Sequence, residues 1–281
     1  MHTWRKLTAS IWNQPAGRTG IGGILLLSGL AAISLYWSPY SPQTISGPPL
    51  ASPGTSHFFG TNGVGQDVFS QVLEGCRISV VVAITVALAA TSIGFLLGAA
   101  AGYFPKRLGI FLMRCVDVLM AIPRLPLIIL LAAFLRPDLV CLIGVLVFLS
   151  WPQIARTIRA QVLSLRERDS LRFVRFCGGS FGYVLRQHLI RELFPLLLAK
   201  GAATASYAIV AEVGLSFLGL GDPTLKSWGM MIRQALDYPG LLWTAGWTWW
   251  LLPPSIMASL AVFSFTLAGY ALDDALRLQE T

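Results

Sequence analysis

Long apolar segments separated by short polar ones run through most of the chain. No charged residue occurs between Arg77 and Lys106 or across residues 238–272, and a helix needs about 20 apolar residues to span a bilayer. The pattern predicts six spans, near residues 19–37, 78–102, 110–135, 139–155, 195–212 and 252–272. The sequence therefore predicts an all-α, polytopic membrane protein with six transmembrane helices.

Glycines and prolines add detail to these spans. Gly94, Gly98 and Gly102 recur every four residues on one face of the second span, which lets another helix approach closely. Pro123 and Pro126 are expected to break or bend the third span. Asp67 is placed to cap a short helix that leads into the second span.

Basic residues are concentrated in residues 156–195, between the fourth and fifth spans. The arginines there are Arg156, Arg159, Arg166, Arg168, Arg172, Arg175, Arg186 and Arg191. Loops rich in Lys and Arg lie on the cytoplasmic side of membranes. We therefore place this segment in the cytoplasm, and six spans then put both termini there.

The basic segment also has a helical pattern. Ser170 is expected to cap a helix that ends near Cys177, Gly178-Gly179 to stop it, and Ser180 to cap a second helix. Apolar residues of the second helix follow helical spacing from Phe181 to Leu189. Two interpretations are open: a projection that fits a socket on another protein, or a solvated basic loop that only fixes topology.

Composition narrows the classes of function. The chain is 55% hydrophobic and 12% charged with a net charge of +8, whereas soluble domains are about 25% charged. The positive residues gather at the ends of apolar segments, so the charge indicates topology and not nucleic-acid binding. No P-loop, HExxH or GxSxG motif and no Cys/His cluster occurs in the sequence. We expect no ATP site, no metal site, no cofactor and no enzymatic activity in this chain.

Some ionisable residues lie within or at the edge of predicted spans. Arg114 and Asp117 are three residues apart and are expected to pair on one helix face. Glu212 is placed to touch a substrate, pair with a neighbouring helix, or cap the turn that follows Leu215. Ionisable groups at such positions face protein or a water-filled path rather than lipid.

Three sequence blocks point to a known family. They are the segment Gly60–Gln71 (GTNGVGQDVFSQ), the segment Glu212–Gly221 with Trp228-Gly229, and Ser150-Trp151-Pro152. They resemble the GTDxxGRDxxSR, EaxLSFLGLG…WG and neighbouring motifs of permease subunits of bacterial ABC importers. The similarity is to the C-type, second permease of the dipeptide/oligopeptide/nickel group. Gln66 and Gln71 stand where that family has arginines.

The resemblance implies the type I ABC importer transmembrane fold and a role for the basic segment. In this family two short helices, here near residues 168–195, carry the EAA motif and dock into clefts on ATPase subunits; Arg172, Phe173 and Val174 stand at its Glu-Ala-Ala positions. The implied coupling residues are Ser170, Arg172, Phe173, Val174, Gly178, Gly179, Ser180 and His188. Candidates for the translocation path or exterior gate are Arg114, Asp117, Glu212, Ser216 and Phe217.

The resulting hypothesis is a permease subunit of an ATP-driven importer that moves small peptides, or nickel or other metal-chelate complexes, into the cytoplasm. Its implied partners are a homologous permease, two ABC ATPase subunits that hold ATP and Mg, an extracytoplasmic solute-binding protein and the bilayer of the bacterial inner membrane. Residues 1–76 would form the cytoplasmic tail, first span and exterior segment, and residues 77–281 a five-span core. The alternative is a stand-alone ion-coupled secondary transporter.

Overall fold

The computed structural model describes residue 12 and residues 14–134 and 138–280, and these are mostly helical. The tail before residue 12, and with it the predicted cytoplasmic N-terminus, lies outside the described residues. The helices are α1 Pro15–Tyr36, α2 Val68–Tyr103, α3 Arg107–Ala121, α4 Arg124–Phe134, α5 Leu139–Arg166, α6 Asp169–Phe176, α7 Phe181–Phe217, α8 Trp228–Asp237, α9 Trp247–Trp250 and α10 Leu252–Glu280. Helix α7 contains one π turn, Leu185–Leu189.

Five helical stretches in the described chain are long and apolar enough to cross a membrane: α1, α2, α5, α7 and α9–α10. The remaining predicted span, near residues 110–135, consists of α3 and α4. The chain breaks between them at Ile122 and Pro123, as expected for a proline that cannot continue a helix. The all-α, polytopic class is thus confirmed.

The contact between α2 and α5 forms the centre of the bundle. A Cβ atom added to Gly98 would lie 2.5 Å from the backbone oxygen of Ala155, and one added to Gly94 would meet Ile154 at 2.7 Å. Helices α7 and α10 pack against each other, and α1 packs on α2 and α10. The glycine ridge predicted from the sequence is confirmed, because the two helices approach too closely for any larger side chain.

The bundle has two distinct ends. At one end, the Tyr103 hydroxyl at the close of α2 donates to the Gly179 oxygen at 3.2 Å, and we call residues 169–189 the elbow. At the other end, the Trp228 indole donates to the Val72 oxygen near the start of α2, at 3.1 Å. The segment 38–67, which we call the connector, lies at this second end. Helix α7 therefore runs from the elbow to the connector end.

The connector is organised by polar contacts at the start of α2. Asp67 caps α2 by accepting from the Ser70 amide at 2.8 Å, and it also contacts His57 Nδ1 at 2.9 Å. Gln71 Nε2 donates to Gln66 Oε1 at 2.8 Å. The cap is as predicted, and the two glutamines form an amide pair where the related motif has arginines.

Two predicted boundaries are wrong. The short helix before the second span is continuous with that span in α2, and the second elbow helix is continuous with the fifth span in α7. Pro195 lies inside α7 rather than at its start. Both predicted boundaries coincide with a change in hydrophobicity along the chain. Such a change does not end a helix unless a residue that terminates helices is also present. The division of the chain at residue 76 stays a prediction.

Candidate functional site

A left-handed glycine ends α6 and makes the turn of the elbow. Gly178 has φ of +79°, and the Gly179 amide donates back to the Val174 oxygen at 2.9 Å, which is the pattern of a glycine helix C-cap. The Ser180 hydroxyl then accepts from the Tyr183 amide at 3.3 Å and caps α7. Both glycines and the Ser180 cap thus have the structural roles predicted from the sequence.

The predicted cap at Ser170 is wrong. Helix α6 begins at Asp169, so the backbone of Ser170 lies in its first turn. The acidic residue at the start of α6 is favourable there, because the N-terminal end of a helix carries partial positive charge.

One face of the elbow is packed and the other is exposed. Val184 and Leu189 are buried against the end of the bundle, while Val174 and His188 are partly buried. On the outer face, Phe173 is 69% and Phe176 is 91% exposed. Arg172 is exposed beside them. The elbow therefore exposes two aromatic side chains and one basic side chain on its outer face, while its inner face packs against the bundle.

A buried carboxylate joins three elements at the connector end. Glu212 of α7 is 1% exposed and accepts from the Ser216 hydroxyl at 2.8 Å and from the Ser79 hydroxyl of α2 at 3.3 Å. The hydroxyl of Ser227, which caps α8, is a further hydrogen-bond partner of Glu212. We call these four residues the Glu212 cluster. Of the roles left open for Glu212, the contacts match pairing with a neighbouring helix.

The glycine-rich block after Glu212 closes the chain over this cluster. Gly219 has φ of +80°, and the Leu220 amide donates to the Leu215 oxygen at 2.9 Å, which ends α7. A Cβ atom on Gly221 would lie 2.3 Å from the Ser216 hydroxyl oxygen. Lys226, just before the Ser227 cap, is partly buried, and this burial lowers the pKa of its amine.

The other path candidates are not members of the Glu212 cluster. Arg114 and Asp117 are both exposed on α3, but the described salt bridge of Asp117 is with Arg156 of α5, at 3.9 Å. The predicted Arg114–Asp117 pair is therefore wrong, because a neighbouring helix supplies the nearer cation. Phe217 lines an apolar groove of about 450 Å³ between α7, α8 and α10.

Sequence reasoning missed a polar group formed by three helices. Arg124 of α4 donates from Nη2 to Gln153 Oε1 of α5 at 3.0 Å. Its guanidinium carbon lies 6.0 Å from the ring centroid of Tyr207 of α7. An arginine directly after a proline inside a predicted span was the signal that could have found this group. Among the described residues, no group of three His, Cys, Asp or Glu side chains could hold a metal ion.

Comparison with known proteins gives the family. Residues 94–278, from the glycine ridge of α2 into the last turns of α10, match the model of the binding-protein-dependent transport system inner membrane component. The chain belongs to this family. It therefore has the type I ABC importer transmembrane fold, as the resemblance of its motifs implied.

Relatives of this inner membrane component cover nearly its whole length. A protein of Brucella suis biovar 1 named as a peptide permease is 36% identical over 263 residues, covering 92% of this chain and 86% of the relative. The dipeptide transport system permease protein DppC of Bacillus subtilis is 33% identical over 276 residues, covering 97% and 83%. The prediction of an ABC importer permease subunit, embedded in the inner membrane by several spans, is confirmed.

Proposed function

We propose that this permease forms the path and the lever of a peptide importer, and that separate ATPase subunits drive it at the elbow. The names of the relatives support peptides as the cargo. Transport of nickel or of a metal chelate stays a prediction without such support. The observation that carries the proposal is the continuity of α7 from the elbow to the Glu212 cluster.

The length of α7 suits it to transmit a displacement. Its 37 residues, at a rise of about 1.5 Å each, give a rod of about 55 Å. One end of the helix follows the Gly178 turn. Near the other end, hydrogen bonds of Glu212 connect the helix to α2 and α8. A push on the elbow would therefore reach the Glu212 cluster as a tilt or shift of one helix, without an intervening loop.

The exposed face of the elbow has the composition of a docking surface. Aromatic and arginine side chains dominate the energetics of protein interfaces, and here Phe173 and Phe176 lie beside Arg172. In the proposed assembly this face enters a cleft on an ATPase subunit that holds ATP and Mg. A homologous permease, a second ATPase and an extracytoplasmic solute-binding protein complete the importer.

A substitution on the exposed face tests the docking. We expect Phe176→Asp to abolish co-purification of ATPase subunits with the tagged permease, because it puts a carboxylate into an apolar contact. Phe58→Asp is the matched control, since Phe58 is also exposed but lies in the connector at the opposite end. If Phe176→Asp retains the ATPases as well as the control does, the elbow is not the docking surface.

A natural cysteine tests the orientation. Cys177 is exposed at the tip of the elbow. In a variant whose other three cysteines are replaced by alanine, a membrane-impermeant maleimide should label Cys177 in inverted vesicles and not in intact cells or spheroplasts. Labelling from outside would place the elbow on the wrong side of the membrane and would overturn the proposal.

A further inference from the structure

The polar group formed by Arg124, Gln153 and Tyr207 joins α4, α5 and α7 on an accessible side of the bundle. Gln153 lies on α5, two residues before the cytoplasmic end of the predicted fourth span at residue 155. Arg124 follows the break between α3 and α4, the two halves of the third predicted span. A charged side chain at the centre of a bilayer costs at least about 3 kcal/mol, so such groups face protein or water. The place of Arg124 within the third predicted span therefore indicates a water-filled path or a protein contact.

Helix α5 separates a packed face from a polar one near Gln153. Ile154 and Ile158 are buried against the glycine ridge of α2. Gln153 and Arg156 are exposed on the other side of the same helix. Arg124 joins this polar face through its hydrogen bond to Gln153, so the three side chains continue one polar surface across α4 and α5.

The guanidinium of Arg124 has a hydrogen-bond partner but no carboxylate partner among the described residues. Within the described parts of the chain, no carboxylate forms a salt bridge with it, whereas Arg156 has Asp117 at 3.9 Å. Gln153 accepts one of its five N–H groups. The ring of Tyr207 lies under the cation, and the buried Tyr207 hydroxyl has no hydrogen-bond partner among the described residues.

We propose that Arg124, Gln153 and Tyr207 form a site on the translocation path that binds a carboxylate of the cargo. A guanidinium presents a planar pair of N–H donors that matches the two oxygens of a carboxylate. The Gln153 amide nitrogen and the Tyr207 hydroxyl add neutral donors on two further helices. The inference rests on the proposed function, because a peptide carries a carboxylate at its C-terminus and enters the path through this chain.

Transport of a matched pair of peptides by the full importer tests the site. The importer is reconstituted in proteoliposomes with its binding protein, and uptake of trialanine is compared with uptake of trialanine amide. Arg124→Gln should lower the acid-to-amide uptake ratio about tenfold, which corresponds to about 1.4 kcal/mol. The binding protein is the same in every assay, so its own preference cancels when the variant is compared with the wild type.

Further variants separate binding from folding. Arg124→Lys should retain part of the acid preference because it keeps the positive charge, and Tyr207→Phe should lower the ratio by a smaller factor than Arg124→Gln. Arg107→Gln is the matched control, because Arg107 is exposed at the start of α3, and it should leave the ratio unchanged.

The possible outcomes are distinguishable. An unchanged ratio in Arg124→Gln, or an equal loss of both peptides, would overturn the carboxylate site and leave the proposed function intact. Loss of the second permease from the purified Arg124→Gln complex would overturn it too, by making Arg124 an interface residue. If the wild-type importer moves neither peptide although its ATPases and binding protein are present, the proposed function fails, and the site falls with it.

Discussion

The elbow and the Glu212 end share one backbone feature, a helix that ends at a left-handed glycine, but the surroundings of the two glycines differ. A left-handed glycine ends a helix in both places, Gly178 with φ of +79° and Gly219 with φ of +80°. Around Gly178, an added Cβ would meet nothing within 4 Å, whereas the Arg233 guanidinium lies against Gly219. One turn presents side chains to the outside, and the other closes the chain over a buried carboxylate.

The contrast between the two ends indicates where stability and coupling reside in this permease. The Glu212 end is fixed by buried side chains on α2, α7 and α8, so substitutions there should lower the free energy of unfolding. The outer face of the elbow is exposed, so substitutions there should change binding to partners and leave the fold intact. Substitutions at the two ends therefore test this division between stability and binding.

Removal of Trp228 should have the largest effect. Trp228 is fully buried, and its indole donates to the Val72 oxygen, so Trp228→Ala would leave a cavity and remove this hydrogen bond. We expect a loss of about 3–5 kcal/mol in the free energy of unfolding. Denaturant titration of the detergent-solubilised chain measures it. Trp243→Ala is the control, because Trp243 is 94% exposed, and an equal loss in both variants would contradict the assignment.

Glu212 should come second. Glu212→Ala removes the acceptor of Ser216 and Ser79, and a buried hydroxyl left without a partner costs about 1–3 kcal/mol. We expect a loss of about 3 kcal/mol, measured in the same titration. Glu212→Gln keeps one carbonyl acceptor and similar volume, so it should lose less. Equal stability of the alanine variant and the wild type would show that the cluster does not hold the three helices together.

Local signals in the sequence were enough for part of this architecture. The caps at Asp67 and Ser180, the glycine ridge and the break at Pro123 each depend on a few adjacent residues, and all are present. Capping and proline effects act within a turn of the chain, which is why a single sequence reveals them.

Long-range partners could not be predicted in this way. The partner of Asp117 is Arg156 on another helix, and Glu212 finds Ser79 at a distance of 133 positions along the chain. Periodicity shows which face of a helix is apolar, but it does not show which helix covers that face. The continuity of α7 was missed for a related reason, because Phe181–Leu189 and the fifth span are each helical by pattern and differ only in polarity.

The cap of α7 should contribute less than either buried residue. Ser180→Ala removes the acceptor of the Tyr183 amide, and loss of such a cap costs about 1 kcal/mol. We expect faster hydrogen exchange at the first amides of α7 and little change at its far end. Ser180→Asp should retain the cap, so the first amides of α7 should exchange more slowly than in Ser180→Ala. Uniformly faster exchange along all of α7 would mean that the elbow contributes to global stability, which would contradict the assignment of stability to the Glu212 end.

Exposed ion pairs should have the smallest effect, and they provide a comparison between the two ends. Arg168 pairs with Glu192 beside the elbow and Arg233 with Asp237 at the connector end, and all four side chains are at least 40% exposed. Exposed pairs contribute less than about 1 kcal/mol and are screened by salt. Glu192→Gln and Asp237→Asn should therefore each lower the free energy of unfolding only slightly in denaturant titrations, and the loss should be smaller in high salt.

The two pairs have the same chemistry, so they separate position from burial. A large loss of stability at the connector end alone would show that position in the fold, and not burial, sets the difference in stability between the two ends. Similar small costs would leave burial of Trp228 and of the Glu212 cluster as its cause.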